Sequence, residues 1–163
     1  MGSMEMGQQY TQNPKRKFRW QIAIDGDETT QHYVKTFARP QMDFEETELN
    51  FKHEKMWIAG KMTWSSISMT VLDVEQVNPM YDWICSVYQL AAGGDFAMMG
   101  KDGDGSYKKN VTLELLDAKG TMTEKWKLEH CWPQSVNFGD LDYSSSDTCD
   151  IEVTLRFDRA SRL

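Results

Sequence analysis

A period of two runs through most of this sequence, and it leaves room for little besides antiparallel sheet. Phe18, Trp20, Ile22 and Ile24 alternate with Arg19, Gln21 and Ala23, which marks a half-buried strand because successive side chains point to opposite faces. Asp25-Gly26-Asp27-Glu28 turns the chain, and residues 32–38 read as the returning strand. Arg39-Pro40 stops it, since proline restricts the residue before it. Residues 42–53 are long, extended and charge-rich, a composition that suits a projecting hairpin better than a core strand. Residues 57–64 come back across Gly60, and Ile67–Leu72 forms another strand. Later, Val111, Leu113 and Leu115 alternate with Thr112, Glu114 and Leu116, before a turn at Asp117-Ala118-Lys119-Gly120. The return strand puts Trp126 and Leu128 on one face and Lys125, Lys127 and Glu129 on the other. Ile151, Val153, Leu155 and Phe157 close the pattern against Glu152, Thr154, Arg156 and Asp158.

One helix interrupts the strands. Asn78 is a good N-cap residue, and Pro79 sits at the first helical position, where its missing N–H costs nothing. Asp82 in the first turn suits the helix dipole. Met80, Trp83, Ile84, Val87, Tyr88 and Ala91 recur every three or four residues as an apolar stripe that needs a sheet to lie on, and Gly93-Gly94 ends the helix. About seven antiparallel strands with one flanking helix predict a mainly β protein, a β-sandwich or barrel. The 163 residues hold one domain of this kind. We place it at 18–158, after a flexible basic arm at 1–17 and before a short tail at 159–163. No apolar run reaches the roughly 18 residues of a transmembrane helix, and the first residues carry neither the charged nor the apolar region of a signal peptide, so no membrane role is expected.

Charge divides unevenly. Residues 1–24 hold Lys15, Arg16, Lys17 and Arg19 against Glu5, a local net of +3 within a chain of −7. An acidic body argues against a protein whose main work is gripping phosphate backbones. Lys15, Arg16 and Lys17 read either as a solubilising flank or as a docking arm. Cys85, Cys131 and Cys149 are an odd number without a C-x-x-C pair, which fits reduced thiols better than a disulfide framework. His130 and Cys131 are adjacent, so on a strand they would face opposite ways and could not readily share a zinc ion. Neither metal nor cofactor is expected.

Catalytic signatures are missing: there is no G-x-S-x-G, no H-E-x-x-H and no phosphate loop followed by Lys-Ser or Lys-Thr. Asp102-Gly103-Asp104-Gly105-Ser106 hints at a calcium loop, but Tyr107 stands where its glycine is needed and Leu113 where its bidentate acid is needed. Glu45 with Glu46, or Asp140 with Asp142, could imitate a glycosidase pair, but acidic pairs are far more often solvated strand or loop surface. No enzyme is expected. What stands out is amphipathic strand without a site. Glu45, Glu46 and Glu48 lie beside Phe44, Leu49, Phe51, Met56 and Trp57. Charge protecting a sheet edge is one reading, and a protein–protein contact, where aromatics and methionine are enriched, is the other.

Trp132-Pro133-Gln134-Ser135-Val136-Asn137-Phe138-Gly139-Asp140-Leu141-Asp142-Tyr143-Ser144, then Asp147 and the closing Ile151-Glu152-Val153-Thr154-Leu155-Arg156-Phe157-Asp158, resemble the C-terminal signature of phage tail tube proteins. Upstream, Phe18-Arg19-Trp20, the Ala38-Arg39-Pro40 stop and the Trp64…Ile67-Ser68-Met69-Thr70 strand follow the same layout. The resemblance covers residues 18–158. It implies a β-sandwich that assembles as hexameric rings stacked into the inner tube of a contractile tail, in a virion. One sheet from each of six copies would close a continuous barrel around a lumen that passes double-stranded DNA. The implied partners are further copies of the chain, the tail sheath protein, and the baseplate and tape-measure proteins. The corresponding hairpin in that family projects from the sandwich, which makes Phe44, Glu45, Glu46, Glu48, Phe51 and Trp57 candidates for contacts between subunits or rings. Glu114 and Glu152 are the candidates for the lumen wall. The fold is also similar to the tube proteins of type VI secretion systems and contractile bacteriocins, so a related injection machine stays open. The residues alone leave two further classes open, a monomeric β-barrel that binds a small ligand and an unrecognised hydrolase.

Overall fold

The computed structural model describes residues 13–28, 30–75, 79–92 and 107–163. Asn78, Gly93-Gly94, the glycine-rich stretch from Lys101 to Gly105 and the first twelve residues of the arm lie outside these. The strands are β1 (Trp20–Ile24), β2 (Val34–Phe37), β3 (Met42–Phe51), β4 (Glu54–Trp64), β5 (Ile67–Leu72), β6 (Lys109–Leu116), β7 (Met122–Asn137), β8 (Asp150–Arg156) and β9 (Arg159–Arg162). Among the described residues the one α-helix, α1 (Pro79–Ala92), follows β5. The mainly β expectation holds: seven strands form one antiparallel sheet in the order β1-β6-β7-β8-β5-β2, with β9 also paired to β7, and β3 and β4 form a separate hairpin.

The seven-stranded sheet folds over on itself because β7 bends. Its first half pairs with β6 and β9, and its second half pairs with β8. At the bend His130 adopts a left-handed φ of 58°, a conformation that costs a residue with a Cβ and so needs support. The Asn110 side chain supplies it by accepting the His130 N–H at 3.2 Å. Opposite the bend, the chain passes from β8 to β9, and the Asp158 N–H donates to the Glu129 carbonyl at 3.1 Å. Asp158 also accepts from Lys108 at 3.0 Å, and its carboxylate lies 3.3 Å from His130 Nδ1. Two layers result, as expected where strands switch sheets at corners.

Between the layers lies a core built from the alternating positions. Ile22, Val111, Leu113 and Leu128 face Ile67, Met69, Val71, Ile151, Val153 and Leu155, all buried. The helix closes the core with Met80 and Trp83, also buried. Trp83 is fixed by its indole N–H, which donates to the Tyr107 carbonyl at 2.6 Å. Cys131 is buried in the bend, and burial pushes its thiol up to about 12, so it stays protonated and inert.

The C-terminal boundary needs correcting. Residues 159–163 were expected as a tail beyond the domain, but Arg159–Arg162 is a strand in register with Trp126–Glu129 and Ala160 packs into the core. The sandwich therefore runs through β9.

Candidate functional site

The β3–β4 hairpin departs furthest from what a monomer needs. Ten residues at about 3.3 Å each carry it roughly 33 Å, and all its strand pairing is internal. It starts directly from the edge pair β2–β5: the Ala38 N–H donates to Ser68 and the Ser65 N–H to Gln41, at 3.1 and 3.0 Å. Asp43, at its root, accepts from the Ser65 hydroxyl and the Gln41 amide, which together hold its carboxyl below the usual range.

Register decides which side chains share a face. Phe44 sits opposite Met62, whereas Glu46 sits opposite Ala59, so β4 carries one extra residue at a bulge. Gly60 is at that bulge, where an added Cβ would lie 3.1 Å from the Glu45 carbonyl oxygen. The bulge flips the alternation of β4. One face therefore holds Phe44, Met62 and Trp57 together with Glu46 and Glu48, and the other holds Leu49, Phe51, Met56 and Ile58 with Glu45. Both faces are open to solvent: Phe51 is 70 % exposed, Trp57 56 % and Phe44 57 %. Apolar side chains exposed in one contiguous element mark an interaction surface. The six hairpin residues singled out in the sequence thus share one element, divided between its two faces. Glu48 is paired to Lys55 at 2.8 Å.

Glu114 and Glu152 do not share a wall. Glu114 lies on the outer face of the β1-β6-β7-β9 layer, beside Gln21 and 3.3 Å from Lys125. Glu152 lies on the outer face of the other layer, opposite Thr70 and Asn137. Its neighbours there are Ser68, Ser135 and Thr154, a hydroxyl-rich surface that continues toward the hairpin through β5.

Lys15, Arg16 and Lys17 reach a cleft of about 490 Å³ between the edge strands β1 and β2. Lys35 and Arg39 complete its basic rim. Trp20, Phe37, Leu113 and Leu115 form its apolar floor. Sequence reasoning missed what anchors this rim. Glu124, only 5 % exposed, accepts from the Lys15 ammonium and the Trp126 indole N–H, and Arg39 and Arg162 stand 3.8 and 3.9 Å away. The Lys15 hydrogen bond is the main reason its carboxyl stays below the usual range, with burial working against it. Glu124 joins the arm, the root of the hairpin and β9. The signal was available, because Leu128 and Trp126 on the core face place Glu124 on that face too.

Among the described residues no group of three His, Cys, Asp or Glu side chains is arranged to hold a metal ion. No described helix is long and apolar enough to cross a membrane.

Comparison with known proteins gives this geometry a context. The family model for the T4-like virus tail tube protein gp19 matches residues 16–161. A tail tube protein of Serratia phage KSP90 is 29 % identical over 97 residues, covering 56 % of this chain and 54 % of that protein. This chain thus matches about half the length of that curated relative. Among solved structures, a chain of the anti-feeding prophage tube-terminating cap superposes with a TM-score of 0.73 at 17 % identity, covering 94 % of this chain and 93 % of that one. A chain of the extended sheath–tube complex of an extracellular contractile injection system (PVC) gives 0.70 at 17 % identity, with 99 % of both chains covered. Hcp1 from Flavobacterium johnsoniae gives 0.52 at 9 % identity, covering 89 % of this chain and 94 % of that one.

Proposed function

This chain belongs to the T4-like virus tail tube protein family, and from that premise we propose that it forms hexameric rings that stack into a conduit for double-stranded DNA. At the coarser level the chain is a structural tail tube subunit of a contractile injection system, located in the virion tail and not an enzyme. The proposal adds the ring, the stack and the cargo.

The observation that carries it is the hairpin, a long element with apolar side chains on both faces and no use for them inside one subunit. Edge strands β1 and β2 point the same way. Each offers unpaired backbone groups, and joining neighbouring copies edge to edge removes that liability while closing a barrel. Stacking of rings is a heterologous contact that does not close on itself, so it grows as a filament. Sheath and baseplate proteins are the partners expected at the outside and at the start of the tube, with a tape-measure protein and then DNA inside.

For the lumen wall we favour the Glu152 face over the Glu114 face, because it is continuous with the hairpin through β5. This face is mostly serine and threonine hydroxyls with Glu152, and its cations are few, Arg156 on β8 and Lys35 already paired to Asp150 at 2.8 Å, so phosphate would be held weakly and DNA would slide. Negative-stain microscopy of the purified protein at high concentration, with a baseplate nucleator added in a parallel sample, is the test. Six-fold rings or tubes are expected. Small monomeric particles in both samples would overturn the reading.

A further inference from the structure

We propose that the basic cleft between β1 and β2 receives the Phe44–Glu46–Trp57 face of the hairpin from a second copy of this chain. The inference rests on the self-assembly reading above and goes beyond it by naming the receiving surface. The cleft and this hairpin face are complementary in two respects. Its rim carries five cations, Lys15, Arg16, Lys17, Lys35 and Arg39, against two carboxylates, Glu124 on Lys15 and Asp150 on Lys35 at 2.8 Å, which leaves positive charge in excess. On this face the hairpin carries Glu46 and Glu48 against one cation, Lys55, which pairs with Glu48 at 2.8 Å, so the face keeps a net negative charge. The apolar parts match as well: Trp20, Phe37 and Leu115 floor the cleft, and Phe44, Trp57 and Met62 project from the hairpin face that carries Glu46 and Glu48.

The occupant cannot be the chain's own hairpin. β3 leaves the end of β2 after four residues, and Phe44 and Trp57 remain more than half exposed. A second copy can reach, because the hairpin extends roughly 33 Å from its own sandwich. Charged rims of this kind mainly set encounter rate and register, while the aromatic side chains seated on the floor provide the holding contact.

The test uses full-length chains in a background where Cys85 and Cys149 are replaced by serine. One chain carries Glu46→Cys and the other Lys35→Cys, and the mixture is treated with a short bis-maleimide. A covalent heterodimer is expected, suppressed by unlabelled wild-type chain and by high salt. A control pair of Glu46→Cys with Thr154→Cys, on the far sheet face, should give at least tenfold less. In parallel, Lys35→Glu with Arg39→Glu should slow association at least tenfold, as should Glu46→Lys with Glu48→Lys, and a mixture of the two variants should recover it. Tubes that form while the 46–35 pair fails to cross-link would overturn this docking site and leave the tube reading intact. Cross-linked pairs without rings would support the docking site and overturn the tube reading. Neither product would overturn both.

Discussion

Replacing Glu124 by glutamine should destabilise the subunit in a way that depends on pH. Glutamine keeps the shape and can still accept from the Trp126 indole, but it discards the charge shared by Lys15, Arg39 and Arg162. A hydrogen bond involving a charged group contributes about 1.5–3 kcal/mol. Breaking a fully buried pair costs more, about 3–5 kcal/mol, but here all three cations are substantially exposed and can turn to water. We therefore expect about 2 kcal/mol. For a chain of this size each kcal/mol shifts Tm by about 2–4 °C, so the variant should melt about 4–8 °C lower at pH 7. The sign with pH follows from linkage. The folded carboxyl titrates below its unfolded value, so its stabilisation is complete above the unfolded value of about 4.3 and disappears as pH falls through the lower folded value. Thermal unfolding followed by circular dichroism should be run where the protein is unassembled, because assembly itself raises Tm. The gap between wild type and variant should narrow steadily from pH 5 downward. Equal Tm values at pH 7, or a gap that stays constant as pH falls, would refute the argument.

Three further outcomes are expected. Phe51→Ala combined with Trp57→Ala should abolish tube growth seen by microscopy while leaving monomer Tm nearly unchanged, since both side chains are exposed; normal tubes would reduce the hairpin to a decorated edge. Deleting residues 1–17 should impair ring stacking more than folding, with a Tm loss no larger than that of Glu124→Gln, because Lys15 is the arm's tie to Glu124; a much larger loss in unassembled protein would show that the arm is structural. Assembled tubes should bind duplex DNA weakly in a mobility-shift assay even at low salt, since everything after residue 24 carries a net −10; tight, salt-sensitive binding that survives removal of the arm would contradict the sliding wall.

Periodicity made the strands legible wherever a layer faces both core and water. Ile67–Leu72 buries every second residue and was read to the residue. The same logic placed Trp126 and Leu128 correctly but was not carried two residues back to Glu124, because a charge on the core face breaks the pattern that identifies the face. Arg159–Arg162 has only Ala160 as an apolar residue, so its strand state comes from pairing with β7 and not from its own sequence. The length of β7 was also hidden. Its bend at His130 depends on Asn110, twenty residues earlier in the chain, and Pro133 looks like a strand ending until the irregular register between Pro133 and Ser135 accommodates it. The hairpin was readable as a projection, whereas its two faces were not. A strict alternation puts Met56, Ile58, Met62 and Trp64 together, and only the bulge at Gly60 separates them.

These features make physical sense together only in an assembly. A two-stranded ribbon is marginally stable alone in water, yet this one is long and carries Phe44, Phe51, Met56 and Trp57 with nothing packed over them. A sandwich whose outermost strands, β1 and β2, both flank an apolar-floored cleft is likewise unfinished. The two deficits match, since each has what the other lacks: the cleft has cations and a hydrophobic floor, the hairpin has carboxylates and hydrophobic projections. Filling one with the other stabilises both by mass action, so the ordered hairpin and the closed ring would become features of the same equilibrium. Glu124 sits where that coupling would pass, holding Lys15 beside the cleft and Arg39 at the root of the hairpin. A carboxylate kept at a cost in the core face is then explained by position: it fixes the basic rim in the arrangement that an incoming acidic hairpin meets.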